Sequence, residues 1–126
     1  MLTIALVSQK GGSGKSSLAV HLAVCAARKR KKVAVLDLDP QGSVLGWAKR
    51  RAGDDIAVTG ARSQEVPSLL ARARDQGADL VLLDTPGRAD IAAARVMSLA
   101  DVVLIPCRVG VYDVEASVAT DRKSVV

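Results

Sequence analysis

Short apolar runs alternate with longer amphipathic or alanine-rich segments along this chain. The apolar runs are about five residues long and rich in Val, Leu, Ile and Ala, which predicts strands buried on both faces. The predicted strands span residues 2–8, 33–38, 56–59, 80–84 and 102–107. Helical spacing of apolar residues predicts helices over 15–30, 44–51, 64–76 and 88–99, and another from residue 113. This alternation predicts an α/β fold, a doubly wound and mostly parallel sheet with helices on both faces.

Composition fits a layered core with almost no aromatic packing. The chain has 126 residues, of which 49% are hydrophobic, but Trp47 and Tyr112 are the only aromatic side chains among Phe, Trp and Tyr. This length predicts one domain, residues 1–126. Cys25 and Cys107 lie far apart without metal-ligand spacing, which is typical of reduced thiols. No basic segment precedes the first apolar run and no run approaches the ~20 residues of a membrane span. The sequence therefore predicts a cytoplasmic protein without a membrane partner.

A run of five cations occupies residues 28–32, between the first predicted helix and the second predicted strand. With a formal net charge of +5, the chain can contact nucleic acid, but charge alone does not establish such contact. The run can be a nucleic-acid patch. It can also be a solvated helix C-terminus, where cations interact favourably with the helix dipole. Its position before a strand favours the second interpretation.

A segment rich in glycine and lysine separates the first predicted strand from the first predicted helix. It reads KGGSGKSS over residues 10–17. Glycines let several backbone N–H groups converge on an anion, and the following helix adds its positive N-terminal end. Lys15 is placed to reach the β- and γ-phosphates of a nucleotide, and the Ser16 hydroxyl to bind Mg²⁺. Gln9 stands where the usual pattern has its first glycine, and Lys10 is an additional lysine. The predicted nucleotide-binding residues here are Lys10, Gly11, Gly12, Ser13, Gly14, Lys15, Ser16 and Ser17.

Acidic residues follow two further predicted strands. Asp37 and Asp39 belong to the segment DLDPQG, and Asp84 begins the segment DTPG, which ends in Gly87. Since ligands of doubly wound sheets bind beyond the carboxyl ends of the strands, these groups are expected around one nucleotide. Asp84 fits a Mg²⁺ ligand acting through water, and the amide of Gly87 can contact a γ-phosphate. An aspartate of the DLDPQG segment is expected to position the attacking water.

These motifs together resemble the deviant Walker A nucleotide triphosphatases, and among them the ParA family of partition ATPases. The similarity runs from residue 2 to about 120 and includes KGGSGKSS, DLDPQG, DTPG and ADVVLIP. It implies a P-loop fold that hydrolyses ATP with Mg²⁺. By this resemblance, Lys10 is the signature lysine that contacts nucleotide across a dimer, Asp39 is implicated in hydrolysis and Asp37 in Mg²⁺-site geometry. The predicted catalytic residues are thus Lys10, Lys15 and Asp39, and the predicted Mg²⁺ ligands, partly through water, are Ser16, Asp37 and Asp84.

The resemblance also implies partners for the protein. These are a second copy of the chain in an ATP-dependent homodimer, nonspecific DNA, and a ParB-like protein that stimulates hydrolysis. If DNA binding is retained, the protein is expected at the nucleoid. Family members continue past the last predicted strand into segments for adenine recognition, dimerisation and DNA binding. The chain therefore resembles a C-terminally truncated or fragmentary member, with a fold that is incomplete at its C-terminus.

Several alternatives use the same scaffold. A truncated nucleotide-binding remnant would fold poorly and hydrolyse nothing. A MinD-like ATPase would need a C-terminal amphipathic membrane helix, which the sequence does not show. A relative of the nitrogenase iron protein would need cysteines placed to hold a cluster, and a GTPase would usually have an N-K-x-D motif. Neither pattern occurs in the 126 residues.

Overall fold

A computed structural model describes residues 1–8, 14–86 and 91–106 of the chain. Within them, five parallel strands form one sheet. The strands are β1 (Leu2–Leu6), β2 (Val33–Asp37), β3 (Ile56–Gly60), β4 (Leu80–Asp84) and β5 (Val102–Leu104). The helices are α1 (Lys15–Arg28), α2 (Ser43–Arg50), α3 (Val66–Asp75) and α4 (Ile91–Ser98), and a 3₁₀ turn at Ser63–Glu65 precedes α3.

The strand order is β3-β2-β4-β1-β5, so β4 is the central strand. From β1 the chain crosses to β2 and β3 on one side, returns to β4, and then reaches β5 on the other side. Every neighbouring pair is parallel. Because β1, β2 and β4 are neighbours, the segments that follow them meet at the carboxyl edge of the sheet, where the order of strands reverses.

Two aliphatic layers cover the sheet, as the composition predicts. Small side chains on α1, Ala19 and Ala23, are fully buried and let that helix approach the strands closely. The core on the α1 and α2 face consists of Leu6, Ala19, Ala23, Val33, Val35, Val44, Ile56 and Leu82. The core on the α3 and α4 face consists of Ala5, Val7, Leu36, Leu38, Val66, Leu70, Ala78, Val81, Leu83, Val96, Val103 and Ile105.

Several strands and helices have shorter bounds than the sequence predicts, while β4 has the predicted bounds and β3 is one residue longer, ending at Gly60. β1 ends at Leu6, not at residue 8, because β4 stops at Asp84, the residue opposite Leu6. No neighbouring strand then continues the ladder on that side. The predicted helix over 64–76 begins later, at Val66, after the 3₁₀ turn. Cys107 and the predicted helix from residue 113 lie outside the described residues, as do residues 88–90 of the predicted fourth helix.

Both α1 and α3 end with the same backbone motif, in which one residue has a left-handed backbone, but the type of that residue differs. After α3, Gly77 has a φ of +79° and its N–H donates to the Arg74 carbonyl at 3.0 Å. After α1, Arg30 has a φ of +61° and its N–H donates to the Ala27 carbonyl at 3.0 Å. Glycine is the residue type favoured at such a left-handed helix end. Arg30 was not foreseen, since a non-glycine residue in this region is uncommon.

Replacing Arg30 by glycine is expected to stabilise the protein. Relief of left-handed strain is worth about 1–2 kcal/mol, and the added freedom of the unfolded chain removes about 0.4–1 kcal/mol of that gain. We expect the free energy of unfolding, measured in urea, to rise by about 0.5–1 kcal/mol. The control is Arg30→Ala, which keeps Cβ and therefore keeps the strain. An equal gain in Arg30→Ala would show that the charge, and not the backbone, was responsible.

Candidate nucleotide-binding site

Residues far apart in sequence converge at the carboxyl edge of the central strands. Asp84 ends β4 and is in register with Asp37 at the end of β2 and with Leu6 at the end of β1. α1 starts at Lys15 beside the same edge, directly after Gly14. The structure thus brings together the described members of three segments that the sequence predicted separately.

Lys15 is buried and paired with the end of β4. Its ammonium Nζ donates to Asp84 Oδ1 at 2.5 Å and to the main-chain carbonyl of Thr85. The side chains of Lys15 and Asp84 are only 7% and 0% exposed. Thr85 is itself held in place, since its hydroxyl donates to the Leu6 carbonyl at 2.7 Å. A buried charge pair needs such additional hydrogen bonds to offset its desolvation.

Ser16 contacts the other oxygen of the same carboxylate. Its hydroxyl donates to Asp84 Oδ2 at 3.0 Å, so both oxygens of Asp84 have a partner. Burial raises the pKa of Asp84 above its ordinary value. The hydrogen bond and charge of Lys15 oppose this rise, as does the Ser16 hydroxyl, while the nearby Asp37 adds to it. A positive charge beside Asp84 thus favours its ionised form and opposes the effect of burial.

Ser16 and Asp84 form a donor set that suits Mg²⁺. A hydroxyl and a carboxylate are hard oxygen ligands, and in proteins Mg²⁺ is usually bound by one or two such groups with waters and substrate phosphates. In residues 1–8, 14–86 and 91–106, no group of three or more His, Cys, Asp or Glu side chains could hold a metal ion by itself. The residues present thus fit a metal that is bound together with a nucleotide, and not a cage built by the protein alone.

Asp37 is occupied by backbone contacts. It is 2% exposed, and its Oδ1 accepts the Asp39 N–H at 3.1 Å while its Oδ2 accepts the Leu45 N–H at 2.9 Å. Leu45 lies in the first turn of α2, whose N-cap residue, Gly42, has no side chain to satisfy these N–H groups. Asp37 therefore caps α2 from outside the helix, a role that the sequence reasoning missed. Its predicted place in the Mg²⁺ site stays a prediction.

Asp39 presents one oxygen to the site and uses the other in a turn. Its Oδ1 accepts the Gln41 N–H at 3.0 Å, and its carbonyl accepts the Gly42 N–H at 2.9 Å. Gly42 has a φ of +64°, which this turn requires and glycine adopts without strain. The other oxygen, Oδ2, lies 4.0 Å from Lys15 Nζ, and the side chain is 19% exposed. Asp39 is thus a fixed carboxylate that water can reach.

The start of α1 is favourable for an anion. No side chain caps this N-terminus and its first turn contains no acidic residue, so the helix dipole is not offset there. The exposed Ser17 lies in this first turn, and its carbonyl is 2.7 Å from His21 Nδ1. Some predicted site residues lie outside the described part of the chain, and their roles stay predictions: Lys10, Gly11, Gly12, Ser13 and Gly87.

Comparison with known proteins identifies the family. Residues 4–120 match the model of the CobQ/CobB/MinD/ParA nucleotide binding domain. The chain belongs to this family. The predicted resemblance to the ParA family, within the MinD/ParA superfamily, is therefore confirmed.

Curated relatives of the chain have names from this family. The chain is 36% identical over 128 residues to "maintenance of carboxysome distribution protein A" of Gloeobacter kilaueensis, covering 98% of the chain and 56% of the relative. It is 32% identical over 141 residues to the chromosome-partitioning ATPase Soj of Thermus thermophilus, covering 89% and 57%. The chain thus spans about half the length of the curated relatives it matches.

Solved structures share the fold. The MinD cell division protein of Aquifex aeolicus superposes with a TM-score of 0.78 at 20% identity, over 100% of this chain and 68% of that one. A plasmid partition protein of Borrelia burgdorferi gives 0.77 at 18% identity, over 91% and 69%. These similarities confirm the predicted doubly wound, parallel α/β fold of P-loop type. Among the helices that the structure describes, none is long and apolar enough to cross a membrane.

Proposed function

We propose that the chain binds Mg²⁺·ATP and hydrolyses its β–γ phosphoanhydride as a ParA-type partition protein. The observation that supports this best is the hydrogen-bonded group of Lys15, Ser16 and Asp84 beside Asp39 Oδ2. The name of the Soj relative, a chromosome-partitioning ATPase, supports the same activity, as does a structural neighbour bound to AMPPNP, a plasmid partition protein of Borrelia burgdorferi.

Each of these residues has a role in this reaction. Lys15 supplies positive charge to the β- and γ-phosphates, which lie against the N-terminus of α1. Mg²⁺, held by Ser16 and Asp84, would neutralise the charge that develops on the phosphate oxygens. Asp39 accepts a hydrogen bond from the attacking water and orients it. Lys15 is paired with Asp84 in the structure, so its ammonium has to turn from that carboxylate when the phosphates arrive.

A working site is favoured over a degenerate remnant. Burying a lysine and an aspartate costs several kcal/mol per ion before pairing, and apolar residues of similar size would stabilise the same region as well or better. The retained charges are explained by phosphate and metal binding.

A MinD-like, membrane-associated ATPase is the alternative that the fold similarity permits. Cosedimentation with anionic lipid vesicles in the presence of ATP distinguishes it, because a ParA-type protein is expected to stay in the supernatant.

The partition function adds partners to the ATPase. We infer an ATP-dependent homodimer, binding to nonspecific DNA, and stimulation by a ParB-like protein, in the cytoplasm and at the nucleoid. The structure of pNOB8 ParA bound to nonspecific DNA, similar to this chain with a TM-score of 0.73 at 19% identity, supports the choice of DNA as a partner.

The test of the proposed function is Mg²⁺-dependent release of phosphate from ATP. We expect hydrolysis by the unmodified chain to stop when EDTA removes the metal. Ser16→Ala is expected to lower the rate by at least about tenfold, because it removes a metal ligand. The matched control is Ser98→Ala, an exposed serine that bonds only to its own helix, at the Arg95 carbonyl. Absence of Mg²⁺-dependent hydrolysis in the unmodified chain would support the remnant.

Lys10 allows a separate test of dimerisation. The resemblance assigns it to contact nucleotide across a dimer, so Lys10→Ala is expected to weaken the ATP-dependent dimer. Size-exclusion chromatography with light scattering measures the change, in the presence of ATP and Mg²⁺. Lys49→Ala, an exposed lysine on α2, is the control. An unchanged ATP-dependent dimer in Lys10→Ala would refute the role across the interface.

A further inference from the structure

A second cleft, of about 550 Å³, lies between α1 and α2. It is lined from α1 by the apolar Val20 and Val24 and from the end of α1 by Arg28. The other side contributes Trp47, Arg50 and Arg51, at the end of α2. Its size is in the range of ligand-binding clefts. None of these residues belongs to the nucleotide site.

The arginines of this cleft differ in their pairing. Arg51 donates to both carboxylate oxygens of Asp55 and lies over the Trp47 ring, 5.4 Å from its centroid. Its hydrogen bond lowers the pKa of Asp55, so this pair is neutral overall at pH 7. Arg28 and Arg50 are exposed and form no ion pair with any other residue that the structure describes. The cleft therefore carries two uncompensated guanidinium groups, one from each helix.

These charges continue beyond the cleft. Arg28 is the first of the five cations at residues 28–32, and Lys49 precedes Arg50 on α2. A helix C-terminus explains a cation near the dipole. It does not explain why the C-terminal ends of α1 and α2 both place cations at one cleft that also holds an aromatic side chain. The interpretation of the run as a solvated helix end stays a prediction, and the position of the cleft supports the alternative, a nucleic-acid patch.

The chemistry of the cleft suits a phosphodiester backbone. Guanidinium groups bind phosphate in a bidentate manner and are weakly hydrated. The half-buried Trp47 and the apolar floor can lie against the sugars of the backbone. The exposed cations that follow Arg28 along the chain exceed what a single phosphate needs and fit a polymer, although Lys32 also donates to the Gln76 carbonyl at the end of α3. We propose that the α1–α2 cleft and the cations at 28–32 bind the backbone of double-stranded DNA.

This inference rests on the proposed function only for the choice of DNA among polyanions. It assigns a DNA contact to residues of α1 and α2. α1 has 14 residues and is therefore about 20 Å long, with Lys15 at one end and Arg28 at the other. A phosphate at Arg28 cannot reach Lys15, so DNA and nucleotide can be bound to the same chain at once.

Trp47 makes the cleft directly observable. It is the single tryptophan of the chain, so emission excited at 295 nm reports on this cleft alone. We expect a 30-base-pair duplex, with and without Mg²⁺·ATP, to change this emission and to protect Trp47 from quenching by iodide. Inorganic phosphate at matched phosphate concentration is expected to give no such protection. DNA binding that leaves the accessibility of Trp47 unchanged would overturn the proposal.

Variants locate the contact. Arg28→Gln with Arg50→Gln is expected to weaken DNA binding, measured by anisotropy of the labelled duplex, on the order of tenfold. Loss of two phosphate contacts should also flatten the slope of log affinity against log salt by about 1.8. The matched control is Arg72→Gln with Arg74→Gln, two exposed arginines on α3 at the opposite face. Far-UV circular dichroism verifies that each variant is folded. Replacing Arg28 and Arg50 by Glu is expected to lower the affinity for DNA further than replacing them by Gln. Equal effects of the Arg28/Arg50 and Arg72/Arg74 pairs would refute the cleft.

Two further results separate this proposal from its competitors. A glutamate-rich peptide that protects Trp47 as well as DNA of equal charge would make the cleft an acidic-protein site and overturn the inference. Hydrolysis of ATP is measured on the same samples. If hydrolysis is absent but DNA still protects Trp47 in an Arg28/Arg50-dependent way, the proposed ATPase function fails and the DNA surface stands.

Discussion

Replacing Lys15 by alanine is expected to abolish nucleotide binding and to destabilise the fold together. The ammonium of Lys15 is paired with Asp84 and is also the group expected to meet the phosphates. Truncating one partner of a buried charge pair costs about 3–5 kcal/mol. Losing the charged contact to the phosphates should weaken ATP binding by on the order of 100-fold or more. Titration calorimetry with ATP and urea unfolding measure the two effects.

A second substitution separates stability from binding. In Lys15→Ala, Asp84 is left as a buried carboxylate without its cation, so part of the loss comes from Asp84 and not from Lys15. Adding Asp84→Asn removes that charge, and we expect the double variant to recover most of the lost stability but none of the ATP affinity. Lys49→Ala, on the surface of α2, serves as the control for loss of a lysine. Micromolar ATP affinity in a folded Lys15→Ala protein would refute the phosphate-binding assignment.

Asp39→Ala is expected to leave ATP binding intact and to stop hydrolysis. Its Oδ2 lies 4.0 Å from the Lys15 ammonium, and its side chain remains partly accessible. The proposed mechanism places the attacking water beside this oxygen. Loss of a positioned acid–base group typically lowers the rate about 10²–10⁴-fold. Single-turnover hydrolysis measures this change, and calorimetry shows whether ATP still binds.

Asp39→Asn is the matched variant for this prediction. Asn keeps an oxygen that accepts the Gln41 N–H, so the turn that Asp39 Oδ1 stabilises is retained. It removes only the negative charge. If Asp39→Asn hydrolyses ATP normally and Asp39→Ala does not, the turn is what matters and the carboxylate does not orient the water. Unchanged turnover in both variants would assign the water-positioning role to another residue.

Much of the fold could be predicted from local pattern. Uninterrupted aliphatic runs such as Val81–Leu83 are stable only when both faces of a sheet are covered, so they predicted parallel strands. Gly77 predicted the end of α3 because glycine takes up left-handed backbone without strain. Element ends were less accurate, as β1 shows. The residue at which a strand ends depends on the length of the neighbouring strands. The order of strands in the sheet cannot be deduced from the sequence of any single segment.

The candidate site was predicted as a set of motifs but not as a set of contacts. Spacing alone indicated Lys15, Ser16 and Asp84, because a glycine loop and acids after strands have one common use in this fold. The choice of Asp39 came from the resemblance to the ParA family. The role of Asp37 was not visible in the sequence. It caps α2 eight residues away at Leu45, and this depends on how the chain folds back between β2 and α2.

The sequence by itself thus determined the class of fold, which follows from periodicity, and the family, which follows from the resemblance of its motifs to those of ParA proteins. Only the tertiary structure decided which charges meet. It paired Lys15 with Asp84 across 69 positions, and it brought Arg28 and Arg50 from two helices into one cleft. Electrostatic interactions act over a few ångströms of space, and the separation of two residues along the chain does not specify that distance.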